Sequence, residues 1–273
     1  MTLRAAVINL CCGADIAANL DHADHYIRAA HKDGAKFIVT PENTLLMQGN
    51  AKKLFETIKT EQETTGIEHF SALAKELNID LLIGSMAIKV ANDKAANRSY
   101  MFGSDGVVKA RYDKIHMFDA TISEAETWRE SANYQAGKTP VLTEAAGFNI
   151  GLSICYDLRF ANLYKYYAQV GAHIITVPSA FTAITGEAHW RILLRARAIE
   201  TSAYVLAAAQ GGIHDNGRET WGRSMIIDPW GAVIAELDTD ASGFCCADLS
   251  MNFINTTRAR IPAWQQATNL AAK

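Results

Sequence analysis

The chain has 273 residues, 49% of them hydrophobic and 20% charged, with 18 glycines and 5 prolines. This composition supports a sizeable core and excludes disordered and collagen-like chains. A net charge of −3 offers no basic surface for nucleic acid, and no Lys/Arg cluster is present to hold an anionic membrane. No stretch approaches the roughly 20 apolar residues that cross a bilayer. The expectation is a cytoplasmic enzyme or small-molecule binder.

In chain order, the run Ala5-Ala6-Val7-Ile8-Asn9-Leu10-Cys11-Cys12 is too short and too interrupted for a signal sequence and reads as a first buried strand. Ile16, Leu20, Ala23, Ile27 and Ala30 recur at helical spacing, and Gly34 stands where the helix stops. Lys36 to Thr40 is a strand ended by Pro41. Phe70, Leu73, Ala74 and Leu77 mark a second helix, and Asp80 to Gly84 a strand. Further strands are expected near 86–90 and 99–103, then a turn over Gly103-Ser104-Asp105-Gly106 and a strand from Val107 to Tyr112.

The second half repeats the alternation. Phe148 to Ile154 reads as a strand, Phe160, Leu163, Tyr164 and Tyr167 as a helix face, and His173 to Val177 as a strand ended by Pro178. A long helix follows, with His189, Ile192, Leu193, Ala196 and Ile199 on the side expected to pack. Tyr204 to Ala209 is a strand, and Gly222 to Asp228 pairs with Ala232 to Glu236 around Pro229-Trp230-Gly231. Strands alternating with helices, with hairpins between, predict a mixed-sheet α/β protein in one domain.

The five cysteines include two adjacent pairs, Cys11-Cys12 and Cys245-Cys246, which lack zinc or redox spacing and read as small buried residues. The histidines form no ligand grouping, so no metal and no cofactor are expected. Nucleotide-binding glycine loops and the serine-hydrolase elbow are absent. One coincidence remains. Glu42, Lys114 and Cys155 each follow the C-terminal end of an expected strand, where α/β sheets form ligand crevices. A carboxylate whose pKa burial raises towards neutrality can take a thiol proton, and an ammonium can stabilise the oxyanion formed when the sulfur attacks an acyl carbon. That chemistry is acyl transfer through a thioester.

At these residues the sequence resembles the nitrilase superfamily of carbon–nitrogen hydrolases. The matching segments are Thr40-Pro41-Glu42-Asn43, Tyr112 to Asp119, and Gly151 to Phe160, in family order. The resemblance implies an α-β-β-α sandwich of two mixed sheets over one domain, with a core to about residue 262 and a tail over 263–273. It implies Glu42 as general base, Lys114 as oxyanion support, Cys155 as nucleophile and the Tyr156 N–H as second oxyanion donor. It also implies a second glutamate, for which Glu130 matches better than Glu124, Glu126 or Glu144. A homodimer joined through the helices after the Cys155 and His189-Trp190 segments follows from the same likeness.

Pro178 to Thr182, Thr185 to Trp190, Arg195 to Glu200 and Asp228 to Gly231 resemble the Nit amidase branch, closest to its deaminated-glutathione type. Arg159 is placed either to pair with a substrate carboxylate or to form an ion pair with Asp157 or Glu200. Phe181 and Thr182 either line the pocket or belong to a plain loop. The acidic stretch Ala120 to Trp128 does not align with the family and is assigned to the pocket entrance. The expected reaction is hydrolysis of a small carboxylate-bearing amide with release of ammonia. An omega-amidase on 2-oxoglutaramate, a nitrile or N-carbamoyl hydrolase, an acyl transferase to amines and a silent scaffold of the same fold are the alternatives.

Overall fold

The computed structural model describes residues 1–122, 124 and 126–266. The first apolar run forms β1 (Thr2–Asn9), with Ala5 and Val7 entering one core and Ala6 and Ile8 another. Asp15 caps α1 (Ile16–Lys32) by accepting from the amides of Ala17 and Ala18. Gly34, at φ +94°, reverses the chain into β2 (Phe37–Val39). Then come α2 (Ala51–Thr57), α3 (Thr65–Leu77), β3 (Asp80–Lys89), β4 (Ala95–Phe102) and β5 (Val108–Asp113). A small hairpin, β6 (Asp119–Thr121) and β7 (Thr127–Arg129), joins this half to β8 (Leu142–Ala145) and β9 (Phe148–Leu152). The remainder is α4 (Ala161–Gln169), β10 (Ile174–Thr176), α5 (Ala183–Thr201), β11 (Tyr204–Ala207), β12 (Gly211–Ile213), β13 (Glu219–Trp221), β14 (Met225–Ile227), β15 (Val233–Glu236), β16 (Gly243–Ser250) and α6 (Met251–Arg260).

Two six-stranded mixed sheets result, ordered β16-β1-β2-β3-β4-β5 and β15-β14-β11-β10-β9-β8. Helices α1 and α3 cover the outer face of the first through Ala23, Ile27, Phe70 and Leu73. Helices α4 and α5 lie against the second through Leu163, Tyr167, Trp190 and Leu194. The two sheets meet where β1 crosses β11 and β14. The α-β-β-α sandwich expected from the resemblance is the observed architecture.

Several details differ from the sequence expectations. The two strands expected over 80–84 and 86–90 are one strand, β3, whose pairing with β4 slips between Ile83 and Met86. Gly84 sits at that slip because a Cβ there would lie 2.1 Å from the Thr40 carbonyl oxygen. The face of α5 expected to pack is largely exposed: Ile192 and Ile199 are 69% and 53% accessible, and Leu193, at its margin, is the member that reaches the core. Trp190, Leu194 and Ala198 turn inward instead, because Gly186 lets Trp221 come close enough that a Cβ would lie 2.2 Å away. Of the paired cysteines only Cys12 is fully buried, while Cys11, Cys245 and Cys246 are half-buried, since β16 carries its outward faces close to solvent. The tail expected from residue 263 begins as a 3-10 turn over Pro262–Gln265, and 267–273 lie outside the described residues. No helix among the described residues is long and apolar enough to cross a membrane.

Candidate active site

The turn after β2 carries Glu42 into the interior. The Thr40 and Thr44 hydroxyls bond each other at 2.8 Å, Thr44 Oγ1 donates to the Pro41 carbonyl, and the Gly84 amide donates to Thr40 Oγ1. Asn43, at φ +58°, completes the reversal with its amide on Ser85 Oγ. Gln210 Nε2 donates to the Glu42 carbonyl from the segment between β11 and β12, at 2.9 Å. The carboxylate is thereby buried and fixed before any ligand is considered.

Lys114 follows β5, its amide held by the Asn97 carbonyl of β4. Its ammonium is buried between two carboxylates, 2.9 Å from Glu42 Oε1 and 2.9 Å from Glu130 Oε2. Asn97 Nδ2 donates to both acids, at 2.9 Å to Glu42 and 3.2 Å to Glu130. Glu130 opens the 3-10 turn after β7, and its Oε2 also accepts from the Phe118 amide. Of the four glutamates considered from sequence, Glu130 is the one on Lys114. Glu126 instead accepts from the Trp128 indole, and Glu144 lies on β8.

Cys155 follows β9 at φ +49°, a left-handed conformation unusual for a residue with a Cβ. It begins a single 3-10 turn, Cys155–Arg159, so the Tyr156 amide lies in the first turn and lacks an intrahelical acceptor. Asp157, fully buried, holds this turn. Its Oδ2 accepts from the Ile154 amide and the Tyr112 hydroxyl, and its Oδ1 from the His116 amide and the His116 ring at 2.7 Å. Tyr112 and His116 flank Lys114, so one carboxylate ties the lysine segment to the cysteine turn.

Burial raises the Cys155 thiol, and the Glu42 carboxylate raises it further, against the opposing pull of Lys114 and the Ala180 amide. Burial would raise Glu42 too, as expected of the base from sequence, but the Lys114 ammonium outweighs it and keeps that carboxyl below its usual range instead. Burial opposes the charge on Lys114, and Glu130 and Glu42 more than restore it. The resting pattern is a neutral thiol beside a carboxylate and an ammonium.

These groups line one cavity of about 310 Å³. Tyr156, Arg159, Phe181 and Thr182 line it as well, so every site residue expected from sequence is brought there. Arg159 forms neither ion pair considered for it: Arg197 takes Glu200, and Asp157 is occupied as above. Its guanidinium sits 5.4 Å from the Phe181 ring centre and 3.3 Å from Nδ1 of the exposed His189. Phe181 packs on Trp190, and the Thr182 hydroxyl caps α5 through the Thr185 amide. The segment that sequence assigned to the entrance supplies Thr127 and Trp128 to the wall, joined by Arg129 just beyond it, while 123 and 125 lie outside the described residues. Among the described residues no group of three or more His, Cys, Asp or Glu is placed to hold a metal ion.

Sequence reasoning missed Asn97, Asp157 and Arg218. Asn97 gave no signal of its own, since it stands in the polar stretch Asn97-Arg98-Ser99 of β4. Arg218 follows the Asn216-Gly217 turn between β12 and β13 and also lines the cavity.

The carbon–nitrogen hydrolase family matches residues 4–259 of the chain. A relative from Synechocystis sp. (strain PCC 6803 / GT-S), named deaminated glutathione amidase, is 38% identical over 96% of each chain. Proteins of the same name are 37% identical in Yersinia enterocolitica, over 96% of this chain and 92% of theirs, and 36% identical in Homo sapiens, over 95% and 80%. Among solved structures, the C. elegans NitFhit protein superposes with a TM-score of 0.90 at 32% identity, over 97% of this chain and 65% of that one. Saccharomyces cerevisiae Nit3, described as a member of branch 10 of the nitrilase superfamily, gives 0.85 at 27% identity, over 96% and 94%.

Proposed function

Because this chain belongs to the carbon–nitrogen hydrolase family, we propose that it is a cysteine-dependent amidase that cleaves deaminated glutathione or a close analogue through a thioester. The observation that carries the reading is the convergence of Glu42, Lys114 and Cys155 on one cavity from the ends of β2, β5 and β9. In the proposed cycle Glu42 takes the Cys155 proton as the sulfur attacks the amide carbon. The oxyanion is met by the Lys114 ammonium and the Tyr156 N–H, and each such donor is worth about 3 kcal/mol of barrier. The C–N bond breaks as Glu42 returns the proton to the departing nitrogen. Water, deprotonated by Glu42, then hydrolyses the thioester and restores the thiol.

Glu130 and Asn97 are positioning residues in this scheme. They hold Lys114 and Glu42 at hydrogen-bond distance, so little reorganisation is needed when charge develops. Arg159, with no carboxylate partner among the described residues, is assigned to a substrate carboxylate, and Phe181 and Thr182 to the wall beside it. The leaving group needs a correction from chemistry. Deaminated glutathione carries its scissile amide on the cysteinylglycine nitrogen, so its product is that dipeptide. Ammonia, expected from sequence, belongs to the primary amide 2-oxoglutaramate.

The same proposal treats the chain as one domain that pairs with a second copy through the exposed face of α5, where Ile192 and Ile199 lie in line. All five cysteines are free, which suits a reducing compartment such as the cytoplasm.

The test is turnover of deaminated glutathione, 2-oxoglutaramate, a simple nitrile and an N-carbamoyl amino acid, following cysteinylglycine, ammonia and carbon dioxide. Release of cysteinylglycine that disappears in Cys155→Ser, with an unchanged circular dichroism spectrum, is expected. Near-normal turnover by Cys155→Ser would overturn the nucleophile. Preference for the nitrile or the carbamoyl substrate would move the protein to another activity of the family.

A further inference from the structure

The cavity carries more positive charge than the proposed reaction uses. Its ionised lining groups are Glu42, Glu130, Lys114, Arg129, Arg159 and Arg218, two carboxylates against four cations. Lys114 is already matched by the two glutamates. The cavity therefore holds an excess of two positive charges before the exposed Arg129 is discounted, in a chain whose net charge is −3.

Arg218 is the unexplained member. Its guanidinium lies 4.5 Å from the Trp128 ring centre, its Nη1 is 3.5 Å from Met47 Sδ, and its Nη2 donates to the Ala180 carbonyl. Among the described residues its buried Nε has no hydrogen-bond acceptor and no carboxylate lies within ion-pair distance of the group. A buried cationic donor left unmatched is costly, and a guanidinium fork is shaped to grip a carboxylate with two parallel bonds. Trp128 and the Ala180 carbonyl hold the group in place, so little conformational freedom would be lost on binding.

We propose that Arg218 is a specificity-determining residue that binds a second substrate carboxylate, one carried by the leaving amine. The proposal rests on the amidase reading above and deepens it: the preferred substrate is an amide with a carboxylate at each end. The two guanidinia flank the Ala180-Phe181 segment, Arg218 on the Ala180 carbonyl and Arg159 against the Phe181 ring. Arg159 shares a turn with Cys155, so it stays beside the acyl half that the sulfur retains. Arg218 reaches in from the separate β12–β13 hairpin and takes the half that departs. Deaminated glutathione has a carboxylate on each half, whereas 2-oxoglutaramate has one.

The experiment compares deaminated glutathione with the same compound amidated at its glycine carboxylate. A charge-assisted pair of this kind is worth about 1.5–3 kcal/mol, or about 10- to 150-fold in kcat/KM. The wild-type protein should prefer the free acid by a factor in that range. Arg218→Met should abolish the preference, Arg218→Lys should restore part of it, and Arg159→Met should weaken both substrates while keeping the preference. A wild-type protein indifferent to the amidation, or a preference that survives in Arg218→Met, overturns the proposal. Calorimetric binding of the two compounds to Cys155→Ser gives the same comparison without turnover. Preferential binding there, with no cleavage by the wild type, would leave Arg218 standing and sink the amidase reading. Cleavage with no preference would do the reverse.

Discussion

Replacing Lys114 by Met changes the charge balance on which the site depends. The ammonium is buried 2.9 Å from one oxygen of each glutamate. In the wild type it keeps Glu42 below its usual range despite burial, so Glu42 contributes stability above about pH 4.3 that is lost as pH falls. Removing the cation and leaving two buried carboxylates costs about 3–5 kcal/mol at neutral pH. Burial, the largest influence on Glu42, and the Glu130 charge are then opposed only by Cys155, the Arg218 charge and the Asn97 amide, and the folded pKa of Glu42 moves up past the unfolded one. The sign of its contribution reverses: stability is present at low pH and lost as pH rises through the raised pKa. At about 2–4 °C per kcal/mol, the Tm deficit against wild type should be about 6–20 °C at pH 8 and clearly smaller at pH 5. Scanning calorimetry at both values measures it. An equal deficit at the two would mean that the loss is packing of the lysine stem, and would refute the electrostatic account.

Because Glu42 is held below the ordinary carboxylate range, kcat/KM should stay level as pH drops through 6 and fall only below about 4.3. An acid limb near neutrality would show that Glu42 is not the base or is not ionised at rest. Asp157→Ala removes the acceptor of the Tyr112 hydroxyl and of the Ile154 and His116 amides, at about 1–3 kcal/mol each before the donors that can turn to water are discounted. Urea denaturation should show about 3–5 kcal/mol lost. A cost under about 1 kcal/mol would mean that the turn holds itself. Ile192→Glu places a charge on the exposed apolar face of α5 and should convert a dimer to monomer in light scattering. A wild-type monomer would remove the dimer from the proposal.

The strand ends that carry Glu42, Lys114 and Cys155 were readable because each joins a local apolar run to a breaker or turn, and both halves of that signal lie within a few residues. Apart from the neighbouring Ile154 amide, Asn97 and Asp157 act through partners 33 to 55 positions away, a relation that no local pattern encodes. Arg218 stands just after the Asn216-Gly217 turn, with no local pattern to mark it, and only the folding of β12–β13 over Ala180 turns it inward. The faces of α5 were confused because isoleucines occupy one side while Trp190 and Leu194 occupy the other. Steric fit around Gly186 decided between them. Short edge elements such as β8, with alternating exposure, carried too little apolar weight to stand out.

The pairing of β1 with β16 has a consequence for synthesis. The strands are antiparallel in continuous register from Thr2 opposite Ser250 to Asn9 opposite Gly243. At about 5–20 residues per second on the ribosome, the first strand leaves the exit tunnel roughly 12–50 s before its outer neighbour exists. During that interval an eight-residue, mostly apolar strand offers a bare edge to any other chain. Delayed closure of the first sheet, or a chaperone on this strand, would keep that edge from pairing with another chain. A ribosome that stalls before residue 243 leaves a fragment that is sticky along this edge as well as inactive.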